Sequence, residues 1–265
     1  MAMMSGTRHQ KNVCINRVKA EEISMRNYNN EYQDNESRQY AYDFDFVIRR
    51  YTMQTLFPFF AKGKTLEIGC FEGDSTSLLV EYFDDLTVLE AAESLIDIAR
   101  KKVPATVCFI HSTIEIAELD PVYETIFFVH TLEHMDNPVA ALARIRRWLS
   151  PTGRLFIVVP NADAASRQIA VKMGLIETNN SVTAGELAHG HRCTYSLNTL
   201  EHDARRAGLN ITSRGGVFFK PFANFQFDLL MKNHVIDQEY LDGCYAMGMQ
   251  YPELSASIYL VCTKN

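Results

Sequence analysis

The run Glu67-Ile68-Gly69-Cys70-Phe71-Glu72-Gly73 follows a short apolar stretch directly. Glycines at such a turn let the backbone approach a ligand closely. A second apolar stretch ends in Glu90, and a carboxylate at that place accepts hydrogen bonds from the two hydroxyls of a ribose. His130, His134, His189 and His191 add side chains that take up a proton near neutral pH. His189-x-His191 also has metal-ligand character, but no third ligand stands beside it on its loop, so no metal is expected.

These residues need a scaffold, and the chain alternates strand and helix from Lys64 to Pro160. Apolar patterning predicts strands over Thr65–Ile68, Leu86–Leu89, Thr106–Ile110, Thr125–Val129 and Arg154–Val159, with a turn at Pro151-Thr152-Gly153. Helices are predicted over Ser75–Phe83, Ser94–Lys102 and Pro138–Leu149. Strands that are short and apolar on both faces imply a parallel sheet covered on both sides. Further helix is expected over Leu197–Ala207, and strands over Leu209–Phe219 and Ser255–Thr263. Upstream, Phe44, Val47, Ile48 and Tyr51 repeat with the period of one buried helix face. Residues 1 to about 36 show no apolar period and are assigned no element.

The composition narrows the function. Of 265 residues, 47% are apolar and 22% charged, the balance of a globular chain with a substantial core. The formal net charge of −6 opposes a phosphate backbone, so nucleic acid is not an expected partner. No apolar stretch approaches the roughly 20 residues needed to span a bilayer, and no membrane partner is expected. The N-terminal stretch lacks the apolar core of a signal peptide, and none of the six cysteines forms a CxxC pair. A cytoplasmic location is therefore expected.

The Glu67–Gly73 loop and Glu90 would fit a nicotinamide dinucleotide or S-adenosylmethionine. A dinucleotide fingerprint places a glycine where this chain has Phe71, and Glu72 and Asp74 beside it suit a ligand with cationic groups better than a pyrophosphate. Leu66 to Gly73 resembles the first motif of class I S-adenosylmethionine-dependent methyltransferases, and Val88-Leu89-Glu90 the second. His111-Ser112-Thr113-Ile114-Glu115 is similar to their adenine-contacting stretch. Phe128 to Pro138 resembles the segment after strand four in the small-molecule branch that includes ubiquinone-type O-methyltransferases, and Leu149 to Leu155 the turn into strand five. Phe71 stands where this family usually has glycine.

The resemblance implies a doubly wound α/β fold: a seven-stranded sheet of order 3-2-1-4-5-7-6 with strand seven antiparallel, an N-terminal helical cap and lid insertions. Residues 1–62 would be tail and cap, and 63–265 the methyltransferase domain, with insertions at about 161–193 and 221–253. It places Glu67 and Gly69 by the methionine part of the cofactor, with Cys70 and Phe71 in the same loop, and Gly73 where the first helix packs closely. Glu90, followed by Ala91, would hold the ribose; Thr113 and Ile114, with Glu115, would line the adenine; His130 would meet the cofactor through its backbone. Tyr40 and Arg49 would cap the cofactor from the N-terminal helix.

Methyl transfer from a sulfonium is an in-line displacement, for which the protein mainly aligns donor and acceptor. A hydroxyl acceptor needs help losing its proton, and His134 and His191 are the favoured bases. The expected acceptor is an oxygen of a small molecule, a sugar or natural-product intermediate. An amine, a peptide or a protein is the alternative acceptor; an oxidoreductase or a non-catalytic cofactor-binding module is the alternative class. Phe218, Phe219, Phe222, Phe225 and Phe227 are read as core, or as a substrate lid.

Overall fold

The strands that carry the site are apolar on both faces because helices cover both. The computed structural model describes Tyr28 and residues 42–264. Its strands are β1 (Thr65–Ile68), β2 (Leu86–Glu90), β3 (Cys108–His111), β4 (Tyr123–Val129), β5 (Leu149–Pro160), β6 (Leu209–Phe219) and β7 (Ser255–Lys264). They form one sheet in the order β3-β2-β1-β4-β5-β7-β6. Strands β1 to β5 pair in parallel, whereas β7 runs antiparallel to both β5 and β6. The strand order therefore reverses between β1 and β4, and the carboxyl ends of those strands open the crevice where ligands bind in such sheets.

The helices are α1 (Asp43–Leu56), α2 (Asp74–Leu79), α3 (Glu93–Ala99), α4 (Pro138–Trp148), α5 (Ala165–Lys172), α6 (Ala184–Ala188), α7 (Leu197–Arg206), α8 (Asn224–Lys232) and α9 (Gln238–Gln250). Helix α4 starts cleanly because Asn137 accepts the Ala140 N–H at 3.1 Å and Pro138 occupies the first turn, where its missing donor costs nothing. Several boundaries differ from the sequence pattern. Strand β3 begins after a turn in which Val107 N–H bonds Pro104 O. Pro151-Thr152-Gly153, expected as a turn, lies within β5: Leu149 pairs with Tyr123, and a Cβ on Gly153 would stand 2.5 Å from Tyr123 O. Helices α2 and α3 end earlier than expected and continue as turns.

The N-terminal helix packs against β6 and the helices after it. Phe44, Ile48 and Tyr51 pack into one apolar cluster with Val217, Phe218, Phe227, Leu241 and Cys244. The Asp228 carboxylate of α8 accepts the N–H groups of Phe44 at 2.9 Å and Asp43 at 3.3 Å, which caps α1 from another element. The phenylalanines expected as core or lid divide: Phe222 and Phe225, after β6, are 37% and 52% exposed. Phe218 and Phe227 are fully buried, and the Phe44 and Phe227 rings stack at 4.0 Å.

Gly73, at the N-terminus of α2, shows how tightly the first helix sits. Its φ is +84°, and a Cβ there would lie 2.9 Å from the Cα of Ala99. Gly73→Ala combines left-handed strain with a backbone clash, a loss of roughly 2–4 kcal/mol. A drop in melting temperature of about 5–15 °C is expected in thermal denaturation; an unchanged melting temperature would show that α2 can shift at little cost.

Candidate active site

Beyond the carboxyl ends of β1, β2 and β4, one cavity is lined by Gly69, Phe71, Glu90, Thr113, His130 and His134, among others. Its floor is the β1–α2 loop, held in place by hydrogen bonds. Gly69 N–H bonds Leu89 O at 2.9 Å, and Thr131 Oγ1 donates to Ile68 O at 3.2 Å. Gly69 has φ +76°, and a Cβ there would fall 2.6 Å from Thr131 Oγ1. Only glycine leaves this cradle open. Phe71 and His130 also adopt left-handed backbone, with φ of 50° and 51°. Two of the four described non-glycine residues at positive φ therefore line one cavity, and strain of this kind gathers at functional sites.

The Glu90 carboxylate organises the loop. One oxygen accepts Cys70 N–H at 3.0 Å and Phe71 N–H at 3.3 Å; the other accepts Ala91 N–H at 2.8 Å and Ala92 N–H at 2.9 Å. Burial pushes this carboxyl up from its ordinary value, opposed by those four backbone donors. A carboxylate offers about four lone-pair sites. A ribose would therefore compete with backbone, most easily with the long bond to Phe71.

Glu67 sits one layer deeper, 4% exposed, and accepts a 2.6 Å hydrogen bond from Thr76. Burial raises its pKa to about 8, helped by the charge of Glu90 and opposed by Thr76 and the more distant Arg49. Between about 4.5 and 8 the folded chain holds a proton that the unfolded chain has lost. Stability should therefore fall as pH rises through that window. Glu67→Gln removes this dependence. Relative to it, the unliganded wild type should lose roughly 2 kcal/mol between pH 6 and pH 8 in denaturant titrations. Parallel losses in the two proteins would contradict a neutral Glu67.

The other expected residues take varied places. Ala91, Thr113, Ile114 and Glu115 line the cavity. His130 lines it too, but its N–H is committed to Val158 O at 2.8 Å and its Nε2 lies 3.3 Å from Ser257 Oγ. Cys70 is buried beneath the loop. Arg49 pairs with Asp74 at 3.3 Å, and Lys102 holds Asp74 at 2.9 Å and Glu72 at 3.3 Å. The acidic character expected to welcome a cationic ligand is therefore neutralised by Arg49 and Lys102. Tyr40 lies outside the described residues. Tyr28, from the stretch assigned no element, is helical and lines the cavity.

The histidines expected to serve as bases lie in or beside the same cavity. His134, on a short 3-10 turn (Leu132–His134), and His189 line the cavity. The rings of His134 and His191 meet edge to face at 4.7 Å. They are brought together because Arg192 N–H bonds Glu133 O at 2.7 Å, which fastens the segment after α6 to the turn after β4. Burial lowers the pKa of His191, against the opposing charge of Glu133. Glu133 itself is 2% exposed. Burial alone would raise its carboxyl, but His130, His134 and His191 outweigh that and hold it below the usual range. Sequence reasoning gave Glu133 no role; a carboxylate set between apolar Leu132 and His134, just past a strand end, was the available signal.

Residues 16–214 match the family model described as a methyltransferase domain. No curated protein matches the chain in sequence. Among solved structures, an S-adenosylmethionine-dependent methyltransferase from Thermotoga maritima is 17% identical at a TM-score of 0.58, over 89% of this chain and 100% of that one. The plantazolicin methyltransferase BamL, solved with a triazolic desmethylPZN analog and SAH, is 18% identical at a TM-score of 0.55, over 88% of this chain and 89% of its own. The cyclase SpnF is also 18% identical at 0.55, over 82% of this chain and 81% of its own. The fold is thus shared by chains of differing chemistry.

Proposed function

Because the chain belongs to this methyltransferase-domain family, we propose that it transfers a methyl group from S-adenosylmethionine to an oxygen of a small molecule, a sugar or natural-product intermediate. One observation carries the reading: a single cavity is lined both by nucleoside-fitting groups (Glu90, Ala91, Thr113, Ile114) and by His130, His134 and His189. When bound, the cofactor supplies an electrophilic methyl group, whose carbon–sulfur bond breaks toward sulfur as the acceptor oxygen bonds to carbon. The chain's own residues place that event. Gly69 and the left-handed Phe71 shape the floor, and Glu90 fixes the loop and offers the ribose its acceptors. Leu95 and Ile114 supply apolar walls for the adenine. His134 lines the cavity with His191 packed against it, and the pair lets the acceptor oxygen shed its proton.

The fold also carries a cyclase, so the assay must follow the methyl group itself. The full chain is incubated with methyl-labelled cofactor and a panel of hydroxylated, amine and peptide acceptors. Labelled product and S-adenosylhomocysteine should appear together, and only with hydroxylated acceptors. Transfer confined to amines or peptides would replace the acceptor class. Tight binding of S-adenosylhomocysteine with no transfer to any acceptor would support a non-catalytic module instead. No helix among the described residues is long and apolar enough to cross a membrane.

A further inference from the structure

Glu133, His134 and His191 each bring one ligand atom to within 4.8 Å of the others. We propose that these three side chains hold a divalent first-row cation, zinc or a near neighbour, which presents an open coordination position to the acceptor oxygen. The inference rests on reading this edge as the acceptor side, and it specifies how the two histidines act there: as ligands.

The strongest observation is Glu133. Its side chain is buried, and its Oε2 has no hydrogen-bond partner among the described residues. The other oxygen faces His130 Nδ1 at 3.7 Å, too long for a strong hydrogen bond. A buried anionic oxygen without a donor is costly and calls for an explanation. A cation between it and the two imidazoles supplies one.

The second observation is architectural. His191 lies far from Glu133 in sequence, yet its segment is fastened to the 3-10 turn by two bonds to one carbonyl, Arg192 N–H to Glu133 O at 2.7 Å and Cys193 N–H at 3.4 Å. The backbone thereby sets the spacing of the ligands before any ion arrives. Two imidazoles and one carboxylate suit zinc or ferrous iron, whereas magnesium and calcium take all-oxygen sets. Three protein ligands leave room for another group, as catalytic sites require.

Location completes the case. His134 lines the cofactor cavity, and Glu133 and His191 line a smaller cavity beside it. The ion would sit in the wall between the two, within reach of an oxygen held opposite the methyl group. A cation there lowers the pKa of a coordinated hydroxyl, and its proton leaves to water.

The test uses the full chain stripped with chelator and titrated with Zn2+ by calorimetry, and with Co2+ by visible absorption. One equivalent should bind, with the absorption of a low-symmetry Co2+ centre. Glu133→Gln and His191→Ala should each weaken binding about 100-fold or more, while the exposed His202→Ala should not. Circular dichroism and S-adenosylhomocysteine affinity check that each variant folds; should Glu133→Gln fail, His191→Gln takes its place. Absence of Zn2+ binding, or equal binding by wild type and ligand variants, would overturn the proposal. Methyl transfer unaffected by chelator in a chain that binds no Zn2+ would sink the cation and leave the methyltransferase reading intact. Stoichiometric Zn2+ binding without transfer to any hydroxylated acceptor would do the reverse.

Discussion

Glu90→Ala is expected to weaken S-adenosylhomocysteine binding by about 100-fold or more, measured by calorimetry on protein shown to be folded. Two losses combine. Hydrogen bonds to a charged partner contribute about 1.5–3 kcal/mol each, and the proposed ribose would lose its acceptor. The N–H groups of Cys70, Phe71, Ala91 and Ala92 also lose theirs, so the loop that forms the cavity floor is no longer pinned. Glu90→Gln should be nearly as harmful, because an amide NH2 would face backbone donors on one side. An alanine variant that binds within about threefold of wild type would show that Glu90 serves the loop's fold and not the nucleoside.

The second large effect concerns turnover. His134→Ala is expected to lower kcat for a hydroxylated acceptor about 100-fold or more while S-adenosylhomocysteine affinity stays within about threefold. The side chain lines the cavity and touches His191 rather than the loop that Glu90 pins, so on the proposed reading its removal should touch the acceptor's chemistry more than cofactor binding. His191→Ala should act in the same direction, since the two rings are in contact. An unchanged kcat in both variants would remove the histidines from the chemistry and leave the family assignment standing.

Most of the scaffold was legible because it rests on local rules. Strands such as β2, buried along its whole length, read as largely apolar runs, and their order followed from the resemblance of five motifs in sequence order. The cavity residues closest to strand ends were legible for the same reason. What local rules miss is the pairing of charges across the fold. Glu72 and Asp74 look like ligand-facing acids until Arg49 arrives from α1 and Lys102 from the turn after α3. The Glu133–His134–His191 cluster depends on a backbone bond between segments with no shared pattern. The five phenylalanines read more as core than as lid, and only the packing of α1 shows that Phe218 and Phe227 are core, whereas Phe222 and Phe225 stay exposed.

The capping of α1 by Asp228 divides the segments after β5 and after β6 by their freedom to change. The segment holding α8 and α9 carries that cap, and its Phe227 and Leu241 are part of the core. Rewriting it would loosen the first helix and the edge of the sheet together. The segment between β5 and α7 has no fully buried side chain in α5 or α6, yet it delivers His189 to the cavity wall. On the proposed reading, variation in the acceptor would fall at least cost to the core on the stretch from α5 through α6, whose helices bury no side chain.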